Sequence, residues 1–470
     1  MKKTKIICTI GPACENLSML EKLMKRGMDV ARLNFSHGTH EEHQKRVDMI
    51  KVARQKVGLP VAIMLDTKGP EYRIKKFGCG SIELKEGDKF TFTSRDILGD
   101  QTIVSVNPPE IVKEIEVGGT ILLCNGLVRF CVVEKTATDL VCVTEIGGVL
   151  SDNKSMSFPG KVLSRPYLSE QDKKDILFGI KNDVDFIACS FVSKKEDMLA
   201  VKEFLAENGG ENIELIAKIE NRSGVDNLEA IAETCSGIMV ARGDLGVEIP
   251  FVEVPPLQKK MITACRLLGK RVITATEMLE SMINSARPTR AEISDVANAV
   301  YDGSSAVMLS GETAVGKYPD LAVATMANIC EETEKNIHYK KRFAQTEFRI
   351  KNTLDAVSHA ACGMAIDVKA KAIAVFSYSG TTCRMISRFR PPMPILGLTP
   401  DEKIARRLSM SWGVVPVVVT EYDDRDKMFE EGLETAKHVF RLKKDDLVIL
   451  TGGKCGEKGS TNLIQMESIK

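Results

Sequence analysis

From the start of the chain to about residue 340, short apolar runs alternate with stretches whose apolar positions recur at helical spacing. The runs KIICTI, MDVARLN, VAIMLD, VDFIACS, IELIAKI, GIMVA, RVITAT and SAVMLS are nearly continuous in apolar residues, as strands buried on both faces require. Parallel neighbours need crossover helices, and eight strand–helix units in series suit a closed (β/α)8 barrel better than an open sheet. Between Gly69 and about Pro166 the helical period vanishes. Segments such as SIELKEGDKFTFTS, VGGTILLCNG and LVCVTEIGG alternate there with Gly, Asn and Asp turns, which predicts a small β domain inserted after the third strand. After about residue 346 the alternation returns with AIAVFS, PILGL, VVPVVV and DLVIL. The predicted architecture is α/β: a TIM barrel over 1–69 and 167–345, a β-barrel-like lid over 70–166, and a C-terminal α/β domain over 346–470.

Composition narrows the function classes. Lys plus Arg number 65 against 64 Asp plus Glu, so the net charge of +1 gives no general field for nucleic acid, and any bound anion must be held by local groups. No apolar run approaches the roughly 20 residues of a membrane span, and the short apolar stretch before Gly11-Pro12 is no secretory signal, so a cytoplasmic protein without a membrane partner is expected. The 13 cysteines are scattered without a C-x-x-C pair, which predicts reduced packing residues and neither a disulfide framework nor a zinc ribbon.

In a barrel of this kind the chemistry projects from the C-terminal ends of the strands. Polar residues gather where the runs stop: Arg32, Asn34, Ser36 and His37 after the second, Asp66, Thr67 and Glu71 after the third, Lys218 and Glu220 at the fifth, Gly243 and Asp244 after the sixth, Thr276 and Glu277 after the seventh. Glu220 and Asp244, closing neighbouring strands, form a pair of hard carboxylates suited to Mg2+ shared with substrate oxygens. Arg32 and Lys218 add positive charge opposite them, the arrangement by which phosphoryl transfer is catalysed, so a phosphorylated anion is the expected substrate class. Gly243 lets backbone N–H groups approach an anion such as a substrate carboxylate. Lys218-x-Glu220 and Arg242-x-Asp244, taken singly, also fit surface ion pairs.

Three further patterns carry less. His37, His40 and His43 lack metal-binding order and read as solvated residues at a helix start. Gly311 to Lys317 resembles a P-loop, but Tyr318 stands where Ser or Thr should hold Mg2+, and Pro319 follows. Ser377, Ser379, Gly380, Thr381 and Thr382 form a hydroxyl-rich turn between a strand and a helix that suits either a phosphate or a plain helix cap.

The stretches MDVARLNFSHG, MLDTKGPEYR, AKIENRSGVDN, IMVARGDLGVEIP and ARPTRAEISDVANAVYDGSSAVMLSGETAVGKYP, in this order, resemble the pyruvate kinase family over nearly the whole chain. The resemblance implies transfer of a phosphoryl group between phosphoenolpyruvate and ADP, with Arg32 and Lys218 on that group and Mg2+ (or Mn2+) on Glu220 and Asp244. It implies K+ on Asn34, Ser36, Asp66 and the Thr67 carbonyl, with Glu71 the residue type of K+-dependent members. Thr276 would bind the substrate carboxylate and relay a proton through water, and Asn34, His37, Arg73 and Lys154 would contact the nucleotide. The turn at 377–382 would take an allosteric sugar phosphate, AMP being another possible effector, and the assembly would be a homotetramer. Departures from the family pattern fall at Cys124, Asn125, Ser155, Ser157, Arg165 and Glu277, where they bear on lid closure, nucleotide affinity and turnover. Two other readings are a barrel enzyme using a Mg2+-bound pyruvate enolate and a catalytically weakened regulatory relative.

Overall fold

A computed structural model describes residues 1–124, 126–161 and 166–470. Eight parallel strands close a barrel: β1 (Lys5–Thr9), β2 (Val30–Asn34), β3 (Ala62–Asp66), β4 (Phe186–Cys189), β5 (Glu214–Ile219), β6 (Gly237–Ala241), β7 (Arg271–Ala275) and β8 (Ala306–Leu309), each paired to its neighbours in sequence, with β8 returning to β1. The apolar runs split by the strand period of two. Ile7, Val30, Met64, Phe186, Ala188, Ile216, Met239, Ile273 and Met308 fill the interior, while Ile6, Cys8, Leu33, Leu65, Ile187 and Val240 pack outward under the helices. Met410, from the C-terminal part of the chain, joins the interior cluster and is fully buried.

Crossover helices start where side chains cap their free N–H groups. Thr39 with Glu42, Ser169 with Asp172 and Thr289 with Glu292 are reciprocal capping boxes. Between β3 and β4 a second closed barrel is built from Tyr72–Ile74, Lys89–Thr93, Ile103–Asn107, Thr120–Leu123, Val128–Lys135, Asp139–Ile146 and Ser155–Ser157. Its core is aromatic, with Phe90, Phe92 and Phe130 in mutual edge and tilted contacts. Among the departures from the family pattern, Asn125 and Arg165 lie outside the described residues.

The C-terminal unit carries β9 (Ala372–Phe376), β10 (Ile395–Thr399), β11 (Val414–Val418), β12 (Leu447–Gly452) and β13 (Leu463–Ser468), in the order β11-β10-β9-β12-β13. The sequence reading found the first four; β13 pairs antiparallel to β12 at the edge, and its half-exposed residues give it no apolar run. Two helices, α1 (Thr381–Arg388) and α2 (Glu402–Leu408), send basic residues to the barrel floor. Arg384 and Arg271 both pair with Glu214 at the foot of β5, and Arg406 reaches Asp185 at 2.8 Å and Asp183 at 2.7 Å. Among the described residues no helix is long and apolar enough to cross a membrane. Most cysteines are buried in packing clusters; Cys79 is exposed.

Candidate active site

The mouth of the barrel collects charge from strands far apart in sequence. Lys218, 8% exposed, hydrogen-bonds Asp66 Oδ1 at 3.0 Å and Ser190 Oγ at 2.6 Å and lies in ion-pair contact with Glu220 Oε1 at 3.0 Å. Arg32 donates from Nε to Asp66 Oδ2 at 2.6 Å and from Nη1 to Thr9 Oγ1 at 2.9 Å. Glu220, fully buried, accepts the Phe191 N–H on Oε2 at 2.6 Å. These are interior pairs, and the surface-pair alternative for Lys218-x-Glu220 falls.

Electrostatics follow from burial and these partners. Burial alone would raise the Asp66 carboxyl, but Arg32 and Lys218 outweigh it and hold it below the ordinary carboxylate range. Burial pulls the Lys218 ammonium down, yet Asp66 and Glu220 more than reverse this and lift it above its usual value. In Glu220 burial wins: against the attraction of Lys218, desolvation and the like charge of Asp244 push the carboxyl up to about 7.

Thr276 occupies the left-handed region with φ +69°, as does Glu277 with φ +53°, and Arg242, itself paired with Asp295 at 2.7 Å, donates to both of their carbonyls. That conformation accompanies a turn of Thr276 Oγ1 toward the loop after the preceding strand, β6, where it accepts the Gly243 N–H at 2.8 Å. The Gly243 N–H expected to meet an anion is therefore already engaged by the threonine.

Asn34 Oδ1 accepts the Ser36 N–H at 3.1 Å, and the Thr67 carbonyl accepts the Ser190 hydroxyl at 2.7 Å. Glu71 pairs with Lys68 at 3.1 Å and with Arg73 at 2.8 Å. Arg73 and Lys154 lie in the inserted barrel, where Arg73 is in register with Ser155 and donates to the Asn153 carbonyl at 2.6 Å. Ser157 and Phe158 line one cavity with Asp244 and with Glu248, which follows Asp244 by one helical turn, so the inserted barrel meets the catalytic one beside the site.

One expectation needs correction. His37 is exposed, but His43 is buried and stacked on Phe35 at 4.0 Å, its Nε2–H donating to the His37 carbonyl at 2.9 Å, and His40 meets Asp175 at 2.6 Å. The spacing of three turns these rings toward the Phe35 and Phe178 face instead of solvent. The P-loop lookalike forms a short helix, Gly311–Ala314, tied by Thr313 Oγ1 to the Thr9 carbonyl at 2.8 Å.

In the C-terminal unit Gly380, with φ +73°, precedes α1; Ser379 and Thr381 hydroxyls are 3.0 Å apart, and Thr382 meets Thr461 at 2.8 Å. With buried Ser377 they line a cavity that Lys454 and Ser460 close from the other side.

The sequence reading missed Ser190. It directly follows β4, so the strand-end rule reaches it, but an uncharged serine after an apolar run draws no attention.

Fold and site together define a barrel phosphotransferase, with a buried cationic pair facing carboxylates at the strand ends. Residues 1–323 match the family model described as pyruvate kinase, barrel domain, and residues 355–466 the one described as pyruvate kinase, alpha/beta domain. The chain is 43% identical to the pyruvate kinase of Clostridium acetobutylicum over the full length of both. It is 45% identical to that of Geobacillus stearothermophilus, covering all of this chain and 80% of the relative. The crystal structure of a pyruvate kinase from Cryptosporidium parvum superposes with a TM-score of 0.95 at 39% identity, over 99% of this chain and 96% of that one. The chain belongs to the pyruvate kinase family.

Proposed function

We propose that this chain transfers the phosphoryl group of phosphoenolpyruvate to ADP, giving pyruvate and ATP in cytoplasmic glycolysis. The observation that carries the reading is Lys218, held by two hydrogen bonds and an ion pair at one point of the barrel mouth beside Arg32. Two fixed cations there neutralise charge on the group in flight, and because their partners already orient them, little reorganisation is needed as the reaction proceeds.

The donor set suits Mg2+. Glu220 Oε1 is buried and, though near Lys218, has no aligned hydrogen-bond donor, and no cage of three or more His, Cys, Asp or Glu exists among the described residues. Glu220 and Asp244 would hold the ion, leaving positions for substrate oxygens; when bound, it supplies Lewis-acid charge to the phosphoryl and enolate oxygens. Asn34, Ser36, Asp66 and the Thr67 carbonyl are hard oxygen donors that suit K+. Thr276 binds the substrate carboxylate and holds the water that protonates the enolate carbon, a hydroxyl of ordinary acidity being a poor direct acid. Asn34, His37, Arg73 and Lys154 contact the nucleotide.

Coupled measurement of pyruvate formation tests this. Turnover is expected only with phosphoenolpyruvate, ADP and Mg2+ together; pyruvate release without ADP would indicate enolate chemistry of another kind. Replacing K+ by tetramethylammonium is expected to lower kcat at least about tenfold, since a cation's charge is lost beside the transferring group. Full activity without K+ would overturn that part of the reading. We extend the proposal to a homotetramer activated through the cavity at Ser377, Ser379, Gly380, Thr381 and Thr382 by a sugar phosphate or AMP. Sedimentation and a panel of these effectors in the same assay check it.

A further inference from the structure

We propose that Ser190 is a positioning residue for phosphoryl transfer: the turn it opens fixes Lys218 and Glu220, and is itself held by the two points where the chain leaves for and returns from the inserted barrel. The inference rests on the role given above to Lys218.

An ammonium has three N–H donors, and Lys218 faces three oxygens, hydrogen-bonding Asp66 Oδ1 and Ser190 Oγ and ion-pairing with Glu220 Oε1. Two are carboxylates that attract it from any direction. Ser190 Oγ, at 2.6 Å, is the neutral third, and it is directed in turn because its own proton goes to the Thr67 carbonyl at 2.7 Å, with Asp66 Oδ1 a further 3.3 Å contact. Without that hydroxyl the ammonium is free to settle onto one carboxylate and away from the substrate.

The next residue serves Glu220. Phe191 takes φ +56°, a conformation that costs a bulky residue about 1–3 kcal/mol, and with it the Phe191 N–H meets Glu220 Oε2 at 2.6 Å. Strain of this kind persists only where the surroundings enforce it, and they do so from two sides. Tyr167, which follows the return from the inserted barrel, donates its hydroxyl to the Ser190 carbonyl at 2.6 Å. Gly69, with φ +71° at the departure, lies so close that a Cβ there would stand 2.9 Å from both the Ser190 side chain and its carbonyl oxygen. The two crossings thus grip one turn, and that turn orients both the cation and the carboxylate.

The test compares Ser190→Ala, Tyr167→Phe and the double variant with wild type. Ser190→Ala is expected to lower kcat about 10–100-fold, and Tyr167→Phe about 3–10-fold, with KM for phosphoenolpyruvate within about threefold and the thermal midpoint little changed. The double variant should be slower than Ser190→Ala by less than the full Tyr167→Phe factor, because the part of Tyr167's effect that runs through the Ser190 hydroxyl is already lost while its hold on Phe191 remains. Tyr167→Phe should also speed hydrogen exchange at the Phe191 amide, which is read without turnover. Wild-type kcat in Ser190→Ala, effects that multiply, or unchanged Phe191 exchange would each overturn the proposal. If Ser190→Ala fails to fold, Tyr167→Phe, which removes one oxygen, decides through kcat and exchange. Wild-type protein inactive with phosphoenolpyruvate and ADP defeats the functional reading instead, and the exchange result still decides the coupling.

Discussion

Lys218→Ala is expected to lower kcat by at least about a thousandfold, roughly 4 kcal/mol of transition-state stabilisation, while KM for phosphoenolpyruvate changes far less. The lysine stands on the central layer of the site, and its charge is most needed as charge redistributes over the transferring group. Arg32 does not replace it, because Nε and Nη1 are committed to Asp66 and Thr9 on the far side of the same carboxylate. The fold should survive, since Asp66 keeps the Arg32 ion pair and Glu220 keeps the Phe191 N–H. Steady-state kinetics with circular dichroism checks this; turnover within tenfold of wild type would end the assignment.

How much of this was legible in the sequence follows from which rule applied. Asp66, Lys218, Glu220 and Asp244 were found because charged residues at the ends of apolar runs have no ordinary reason to be there in a barrel. Thr276 was reached by the same strand-end rule but its role came from resemblance, and nothing in its neighbours announces the left-handed φ that accompanies its hydrogen bond to Gly243. Ser190 obeys the same positional rule as Asp66 but carries no charge. Its partners Gly69 and Tyr167 are about 100 residues or more from one another, beyond any local pattern. His43 was misread because three histidines spaced by three around a helix start look polar, whereas stacking on Phe35 is decided by how that helix packs. The floor of the barrel was invisible for a different reason: attention went to strand ends, and Glu214 begins its strand.

That residue makes the second large prediction: Glu214→Gln should destabilise the protein by about 3–5 kcal/mol, seen as a lower thermal midpoint with separation of the C-terminal unit from the barrel. Glu214 is buried at the foot of β5, and its two oxygens meet Arg271 at 2.5 Å and the Arg384 guanidinium of α1. Burial opposes its charge, but Arg271, Arg384 and Arg407 outweigh burial and draw its carboxyl down to about 2. One carboxylate serves three guanidiniums, so each arginine also feels the others; burial and that repulsion bring Arg271 down to about 10, still cationic at neutral pH. Deleting the carboxylate therefore strands like charges in the interior, which costs more than the loss of one favourable pair. Because the folded carboxyl titrates below its unfolded value, its contribution is complete above about pH 4.5 and is lost as pH falls toward 2, a shift worth about 3 kcal/mol. Wild type and Glu214→Gln should accordingly differ most near pH 7 and converge in acid. Equal midpoints at pH 7, or a gap that widens on acidification, would show that the barrel and the C-terminal unit are held together by something other than this buried cluster.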